Sequence, residues 1–426
     1  MTILEVGSDA RTHMLTRKLR SEGHSVICAP GNDGIFYEPG VVTADVKPED
    51  HARLISLADM TKAVTIVLPE GPLVAGIGDE FRAVNRLFFG PSRAGAMLEG
   101  SKAYCCETLA KAGVPMGKFW IFDDPEDAIH FLEKITFPIV IKADGLCAGK
   151  GVRILWSLEE GIQAVTAFMV DKIFKESGAR IIFQEFLNGY ELSMFAIRDK
   201  NGFVLYTIFS QDHKPVNDGN KGPMTGGMGA FAPVSLASTE LWQLVIDRIF
   251  TPTFEAVEDY EGILYAGLMV TDSGPKVLEY NCRFGDPETE VVLPLLKTNL
   301  GETIQAAAEG ELERIGKLEW HDGACYYVGM TVEGYPDAPV TGDVISGLDD
   351  HGQLACPPDH DGEIWVLHAG TERVGGVWKT KGGRALGVGC KAQNHKFAFG
   401  GAYKGVERIS WRGEHHRNDI GIHAAA

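Results

Sequence analysis

Apolar and polar residues follow two alternating patterns through the first hundred residues. Short apolar runs at 3–6, 25–29, 63–68 and 86–89 predict strands, and residues 11–22 have the spacing of a helix. Strands that alternate with helices are typical of a parallel sheet with right-handed crossovers. The sequence therefore predicts an α/β unit in this part of the chain.

The pattern changes after this unit. Helical spacing follows, with Ser101 as the predicted N-cap of a helix and Gly113 as its predicted end. Strands and helices continue to about residue 328, and the last hundred residues favour short strands, glycines and turns. We therefore expect a multidomain α/β and α+β fold divided into 1–101, 102–328 and 329–426, with a subdomain at about 121–190 inside the middle part.

Length and charge limit the functions that this chain can have. Its 426 residues predict roughly three domains. The 40 Lys and Arg against 58 Asp and Glu give a net charge of −18. Nucleic acids and anionic membranes need basic surface, so we expect neither as a partner. Any phosphate ligand must therefore be held by local groups.

The sequence also indicates where the protein works. No apolar run approaches about 18 residues, and the first residues have no basic leader. The eight cysteines form neither a C-x-x-C pair nor a set spaced with histidines. We therefore expect a cytoplasmic protein with no membrane span, no signal peptide and reduced, mostly buried thiols.

The sharpest local motif is a strand, a glycine-rich loop and a second strand. The apolar run 139–141 ends in Lys142, and the loop that follows carries Lys150 before strand-like sequence resumes at Val152. Glycines let backbone N–H groups approach phosphate oxygens, and a lysine supplies the opposite charge. Asp144 and Gly151 exclude a Walker A loop. The residues alone leave a phosphate site and a plain glycine-rich hairpin both open.

A second motif, at residues 276–288, favours a metal–polyphosphate site. In a strand, Glu279 and Asn281 point to the same face. Two oxygen ligands followed by Arg283 suit Mg²⁺, which prefers oxygen donors and keeps substrate phosphates in its coordination shell. Asp286 and Pro287 also match the N-cap and first position of a helix, which is at least as good an interpretation of Asp286 as a catalytic one.

Two further segments have open interpretations. Glu185 and Glu191 flank a predicted turn, where they could bind a purine amino group and ribose hydroxyls or be solvated carboxylates. The glycine cluster 222–229 follows Asp212 and could be a loop at an anionic centre or an idle surface loop.

Taken together, these segments closely resemble the phosphoribosylamine–glycine ligases, the glycinamide ribonucleotide synthetases of purine biosynthesis, within the ATP-grasp superfamily. The match runs in collinear order over nearly the whole chain. The matching strings are 98–102, 141–151, 210–214, 225–229, 265–269, 279–289, 368–371, 382–384 and 417–421.

The resemblance implies an N-terminal parallel-sheet (pre-ATP-grasp) domain, a central ATP-grasp region with a mobile lid, and a C-terminal mixed domain. It also implies roles for individual residues. The ATP phosphates would lie at Lys102, Lys142, Gly145, Gly149, Lys150 and Gly151, the adenine at Glu185, Phe186 and Leu187, and the ribose at Glu191. Glu279 and Asn281 would hold Mg²⁺ or Mn²⁺. The amine substrate and acyl phosphate would meet Arg11, His13, Asp212, Gly226, Gly227, Gly229, Arg283 and Asp286, with Arg283, Asp212 and Lys142 as catalytic residues.

The implied reaction joins glycine to 5-phosphoribosylamine through glycyl phosphate and releases glycinamide ribonucleotide, ADP and phosphate. Small molecules would be the only partners of a monomer or weak homo-oligomer. Two alternatives stay open: a ligase of the same ancestry with a different amine, and a nucleotide-binding relative without catalysis.

The first turn differs from the family pattern. Asp9, Ala10 and Thr12 stand where the resemblance expects two glycines and a glutamate, Leu68 replaces another glycine, and Pro215 replaces an arginine. Asp9 and Leu68 fall where phosphoribosylamine is expected. Asp9 would repel a phosphate if it pointed into the pocket. We expect it instead to cap the helix that begins near Ala10, because Asp is among the best N-cap residues.

Overall fold

The structure is a computed structural model that describes residues 1–147 and 150–425, so the predicted phosphate contact at Gly149 lies outside it. The first part of the chain forms a parallel sheet in the order β3-β2-β1-β4-β5, as predicted. Its strands are β1 (Thr2–Gly7), β2 (Ser25–Pro30), β3 (Val41–Thr43), β4 (Val64–Val67) and β5 (Phe88–Phe89), and its helices are α1 (Ala10–Ser21), α2 (Asp33–Phe36), α3 (His51–Thr61), α4 (Glu70–Ala75), α5 (Ile77–Ala83) and α6 (Arg93–Gly100).

The second part forms an antiparallel sheet in the order β6-β9-β7-β8. Its elements are α7 (Lys102–Lys111), β6 (Phe119–Phe122), α8 (Pro125–Leu132), β7 (Ile139–Ala143), β8 (Val152–Leu155), α9 (Leu158–Val165) and β9 (Ile181–Glu185). Ser101 caps α7 by accepting a hydrogen bond from the N–H of Tyr104, as predicted. Gly113 has a positive φ of 68° just after the helix, which explains why the helix ends there.

The third part adds an antiparallel sheet in the order β11-β10-β16-β17. A bulge in β17 at Leu278 resets the register, so Glu279 pairs with Gly267 and Asn281 with Tyr265. Both side chains therefore lie on one face, as predicted. The elements are β10 (Tyr190–Arg198), β11 (Val204–Tyr206), β12 (Gln211–Asp212), β13 (Pro215–Asn217), β14 (Lys221–Met224), β15 (Gly229–Ala232), α10 (Thr239–Val245), α11 (Thr251–Ala256), β16 (Gly262–Thr271), β17 (Gly274–Asn281), α12 (Thr289–Val292) and α13 (Leu300–Glu309).

The last part of the chain forms a sheet that also includes two strands from the third part, β12 and β15. Its order is β12-β15-β18-β22-β19, and β20 pairs separately with β21. The new elements are β18 (Ala324–Thr331), β19 (Glu363–His368), β20 (Thr371–Val374), β21 (Val377–Thr380), β22 (Arg384–Ala392), α14 (His395–Val406) and α15 (Ile422–Ala425). The boundary expected near residue 328 lies within β18, and the division into three domains stays a prediction.

Short helical turns complete the described chain. They are the π-helical turns Thr166–Val170 and Ile246–Phe250 and the 3₁₀ turns Lys175–Gly178, Leu293–Leu295 and Leu312–Ile315. Within residues 1–147 and 150–425, no helix is long and apolar enough to cross a membrane. All eight cysteines are free, and all except Cys147 and Cys356 are buried, as expected.

Candidate active site

Two lysines stand near the start of the glycine-rich loop. Lys142, at the end of β7, donates a hydrogen bond from Nζ to the carbonyl oxygen of Leu278 at 2.8 Å. Lys102, at the start of α7, donates from Nζ to the carbonyl oxygen of Gly145 at 3.2 Å. Burial lowers the pKa of Lys142, while the negative charge of Glu279 acts in the opposite direction. Two ammonium groups therefore stand near the start of the loop, which suits an anionic ligand.

Asp144 anchors this loop to α7. Its Oδ1 accepts hydrogen bonds from Ser101 Oγ and from the N–H of Ala103, both at 2.8 Å. A Cβ at Gly145 would come within 2.7 Å of Ser177 Oγ, so a glycine is needed for close packing. At the other end of the loop, the N–H of Ala143 donates to the carbonyl oxygen of Gly151 at 2.8 Å. The loop is thus tied to the fold at both ends, and the side chain of Lys150 is exposed.

The two candidate metal ligands differ in how they are held. Asn281 donates from Nδ2 to Glu99 Oε1 at 2.8 Å. Because an ionised carboxylate only accepts hydrogen bonds, Glu99 fixes the amide orientation and leaves Asn281 Oδ1 for a cation. Burial raises the pKa of Glu279, but Lys214, Lys142 and the other nearby cations outweigh it and lower this pKa to about 2. The pair therefore offers one carboxylate and one amide oxygen, which are donors that Mg²⁺ accepts.

The sequence prediction gave Glu99 no role, yet this residue organises the metal pair. Its side chain is only 6% exposed. Besides Asn281, it accepts hydrogen bonds from the N–H of Cys282 at 2.8 Å and pairs with Arg283 Nη2 at 2.9 Å. Glu99 comes from α6 and its partners lie at the end of β17 and just after it, so no local pattern could reveal the contact. Its place in the matching string 98–102 was the only signal.

Lys214 is a second residue to which the prediction assigned no role. Its Nζ lies 2.9 Å from Glu191 Oε1 and 3.4 Å from Glu279 Oε1. Burial lowers the pKa of Lys214, but Glu191, Tyr265 and Glu279 raise it well above its ordinary value. A permanent cation therefore joins the residue expected at the ribose to the residue expected at the metal.

The expected adenine segment follows β9. The N–H of Glu185 donates to the carbonyl oxygen of Lys118 at 2.8 Å, which fixes the strand end. Phe186 packs against the exposed ring of Trp156, with 5.8 Å between the ring centroids, and Leu187 is buried. The segment offers an aromatic and apolar wall. Nucleotide contacts at these residues stay a prediction.

The expected acceptor loop packs against Asp212 through its glycines. Gly227 has a φ of 119°, and a Cβ there would clash with Pro287 and lie 2.9 Å from Asp212 Oδ1. Gly229 has a φ of 154°, and a Cβ there would clash with the carbonyl oxygen of Tyr327. The glycines are therefore required by close packing and by backbone conformation.

Arg384 of β22 holds this loop in place. It donates from Nη1 to the carbonyl oxygens of Gly226 and Gly227 at 3.3 and 3.0 Å, and from Nη2 to Asp286 Oδ2 at 2.7 Å. The predicted N-cap at Asp286 is wrong, because α12 begins at Thr289 with Glu288 as its N-cap residue. The partly buried guanidinium of Arg384 needs a counter-charge, and Asp286 supplies it.

The first turn confirms the expected cap. Asp9 Oδ1 accepts a hydrogen bond from the N–H of Thr12 at 2.8 Å, and Asp9 Oδ2 pairs with Arg11 Nη2 at 2.6 Å. Burial raises the pKa of Asp9, but Arg11 and the bonds from Thr12 outweigh it and lower this pKa to about 2. The charge of Asp9 is thus neutralised within its own turn.

Arg11 and His13, both expected at the substrate, form hydrogen bonds with other residues of the protein. Arg11 donates from Nη1 to the carbonyl oxygen of Phe284 at 2.7 Å, and Arg283 donates to the same oxygen at 3.1 Å. The fully buried ring of His13 accepts a hydrogen bond from the N–H of His368 at Nδ1 and bonds Glu38 through Nε2. Arg11 therefore links the first turn to the site, and His13 bridges to the last part of the chain. Their contacts with a substrate stay predictions.

Comparison with known proteins assigns three stretches of the chain to domains of one protein family. Family models of the N, ATP-grasp (A) and C domains of phosphoribosylglycinamide synthetase match residues 1–99, 100–289 and 324–423. The chain belongs to the phosphoribosylglycinamide synthetase family. It is 38% identical to a phosphoribosylamine–glycine ligase of Clostridium acetobutylicum, covering 99% of each chain. It is 39% identical to that of Vibrio vulnificus, with 100% of this chain and 99% of the relative covered.

A solved structure of the same family also matches nearly the whole chain. The crystal structure of the Thermotoga maritima phosphoribosylamine–glycine ligase matches with a TM-score of 0.82 and 30% identity, over 99% of this chain and 100% of that one. A biotin carboxylase domain from Hydrogenobacter thermophilus, in complex with MgADP, ADP and bicarbonate, matches with a TM-score of 0.72 at 17% identity, over 97% of this chain and 91% of that one. That second match shows only that the fold is shared. As a phosphoribosylglycinamide synthetase family member, the chain combines the predicted parallel-sheet domain, ATP-grasp domain and C-terminal domain.

Proposed function

We propose that this protein joins glycine to 5-phosphoribosylamine at the expense of ATP, through glycyl phosphate, and releases glycinamide ribonucleotide, ADP and phosphate. The observation that carries the proposal is the cluster of Lys142, Lys214 and the Glu279–Asn281 pair in a chain that matches all three domains of the synthetase family. The names of its curated relatives support the same reaction.

Glycine must be activated because its carboxylate is too poor an electrophile for an amine to attack. Transfer of a phosphoryl group from ATP gives glycyl phosphate, and catalysis of that transfer is mostly positioning and charge neutralisation. Lys102 and Lys142, near the start of the loop, would neutralise the phosphates. Arg283, held by Glu99, would face the charge that develops on the acyl phosphate.

The residues fit a divalent cation. Glu279 is ionised, and Glu99 leaves Asn281 Oδ1 free of the hydrogen bond that the amide nitrogen makes. Within the described ranges no group of three or more His, Cys, Asp or Glu could hold a metal alone, which suits a cation shared with substrate phosphates. Mg²⁺ or Mn²⁺ bound here would neutralise charge on the transferred phosphoryl group.

The acceptor side is supported by the first turn. Because Asp9 pairs with Arg11 and the N–H of Thr12, it does not act as a free negative charge against a phosphate. This geometry favours phosphoribosylamine over a different amine. The intact metal pair and lysines argue against a relative without catalysis. A cytoplasmic monomer or weak homo-oligomer stays our expectation.

The test is ADP release under three conditions. Glycine is supplied alone, then with freshly generated phosphoribosylamine, then with a panel of other primary amines. We expect full turnover only with phosphoribosylamine. Equal turnover with another amine, and none with phosphoribosylamine, would replace this proposal by the ligase with an altered acceptor.

A further inference from the structure

Two buried carboxyl groups lie between the metal pair and the acceptor loop. Asp212 is 7% exposed and Glu288 is 3% exposed. Neither forms an ion pair within the part of the chain that the structure describes. Lys214, whose charge acts on Asp212, lies instead against Glu191 and Glu279. A buried carboxyl group without a cation is costly, so this pair calls for an explanation beyond packing.

Shared neighbours place the two groups in one region. Glu288 Oε1 accepts a hydrogen bond from Ser193 Oγ at 2.9 Å, and Ser193 of β10 forms an isolated bridge with Ser210, the residue just before β12. Asp212 follows Ser210 by two residues, so in extended chain the two side chains point the same way. A Cβ at Gly227 would touch both Asp212 and Pro287, the residue before Glu288.

Each carboxyl group has one oxygen committed to the protein. Asp212 Oδ1 accepts a hydrogen bond from the N–H of His213 at 2.6 Å, and Glu288 Oε1 accepts one from Ser193 Oγ. Over the described ranges, the second oxygen of each group accepts no hydrogen bond from the protein. Burial, and then the charge of Glu288, raise the pKa of Asp212 well above its ordinary value against the charge of Lys214. The charge of Glu288 therefore favours a proton on Asp212.

A short chain of neighbouring residues runs from Glu288 toward the metal side. The hydroxyl of Tyr265 lies 3.1 Å from Ser193 Oγ, and a Cβ at Gly267 would lie 3.3 Å from both the Tyr265 hydroxyl and Glu279 Cγ. The pair thus lies between the site expected to activate glycine and the glycine loop expected at the acceptor.

We propose that Asp212 and Glu288 form a proton-accepting pair, in which Glu288 takes the proton that the acceptor amine loses as the amide bond forms. This inference rests on the proposed function. The amine nitrogen attacks the carbonyl carbon of glycyl phosphate and the C–N bond forms. The C–O bond to the phosphate breaks, its electron pair leaves with phosphate, and the N–H proton passes to the carboxyl pair. General bases of this kind contribute about 10² to 10⁴-fold to a rate.

The charged and titratable groups around the pair define its pH dependence. Those that face Asp212 or Glu288 are Lys214, Glu191, Tyr265 and Arg283. Since the base must be ionised to accept a proton, kcat should fall on the acid side as the pair takes up a second proton.

The experiment compares Glu288→Gln with Glu290→Gln, the same change two residues further along α12. Glu288→Gln should lower kcat for amide formation by about 10²-fold or more and remove the acid limb of the kcat profile. The shift in Tm caused by a non-hydrolysable ATP analogue should stay as in the wild type. Glu290→Gln should keep kcat within about threefold and keep the acid limb.

A Glu288→Gln enzyme that retains kcat within about threefold, or retains the acid limb at the same pH, overturns the proposal. Should that variant fail to fold, Asp212→Asn is judged by the same two criteria. Wild-type turnover with another amine alone would disprove the acceptor assignment, and the pair would then be tested with that amine. A wild type that forms no amide overturns both proposals.

Discussion

At the scale of single residues, the carboxylate of Glu99 decides what Asn281 can bind. It takes the amide nitrogen at 2.8 Å and so leaves the amide oxygen for a cation beside Glu279. Period-two spacing was enough to predict that the two ligands share a face. It could not predict Glu99, because a partner 182 positions away along the chain leaves no trace in a local pattern.

Removing either ligand should stop ATP turnover. Glu279→Ala or Asn281→Ala deletes one oxygen donor of a site that has few, so each variant should release almost no ADP at any Mg²⁺ concentration. The Tm should stay close to that of the wild type, which shows that the fold is intact. Near-normal ADP release with unchanged Mg²⁺ dependence would mean that the metal assignment is wrong.

Lys142 should matter through its charge. Lys142→Met keeps most of the side-chain length but removes a cation from a preorganised phosphate site, so turnover should fall by about 10²-fold or more. Lys297→Met is the matched control, because that lysine is mostly exposed and pairs with Glu319 at the surface. A loss within about twofold for Lys142→Met would place this lysine outside the phosphate site.

At the scale of elements, strands covered on both faces were the easiest to predict. β1, β2 and β4 appear where the apolar runs predicted them, since a parallel strand buried on both sides is apolar throughout. β5 is shorter than the run 86–89, and only Phe88–Phe89 pair. The N-cap predicted at Asp286 failed for a different reason. A distant arginine, Arg384, takes that carboxylate.

The start of α1 provides a direct test of the acceptor side. Asp9→Gly should cost a few tenths of a kcal/mol in folding free energy, because glycine is itself an acceptable N-cap. The KM for phosphoribosylamine should change by no more than a few-fold. Since the pKa of Asp9 is lowered to about 2, its stabilising effect is present at neutral pH and is lost as the pH falls toward that value. A sharp rise in phosphoribosylamine-dependent turnover for Asp9→Gly would show that Asp9 blocks the pocket.

Glu290 of α12 should destabilise the fold at neutral pH. It is fully buried, and neither carboxyl oxygen has a hydrogen-bond partner within the described ranges. Burial, then Asp286 and Asp9, raise its pKa well above the ordinary 4.5. In the unfolded chain this carboxyl group ionises near its ordinary pKa of 4.5, whereas in the folded chain it ionises at a higher pH. The free energy of unfolding therefore falls as the pH rises above 4.5. Glu290→Gln should therefore raise Tm at neutral pH by an amount that shrinks toward pH 4.5 in thermal melts. An unchanged or lower Tm at neutral pH would contradict this.

At the scale of the whole molecule, the site draws on the first, third and last parts of the chain. Arg11 of the first turn and Arg283 share the carbonyl oxygen of Phe284, and Arg384 of the last sheet holds the glycine loop. Strands β12 and β15 extend that last sheet from within the third part. Collinear motifs predicted the family over the full length. They could not predict that the last sheet would incorporate strands from the third part, because strand pairing between distant segments is set by tertiary packing.

The central claim is that glycine passes through an acyl phosphate on its way to the amide. Glycine labelled with ¹⁸O in its carboxylate, given with ATP, Mg²⁺ and phosphoribosylamine, tests this directly by mass spectrometry of the products. We predict that one ¹⁸O from each glycine appears in the released phosphate and the other stays in the amide. Phosphate without ¹⁸O, formed together with glycinamide ribonucleotide, would contradict the account.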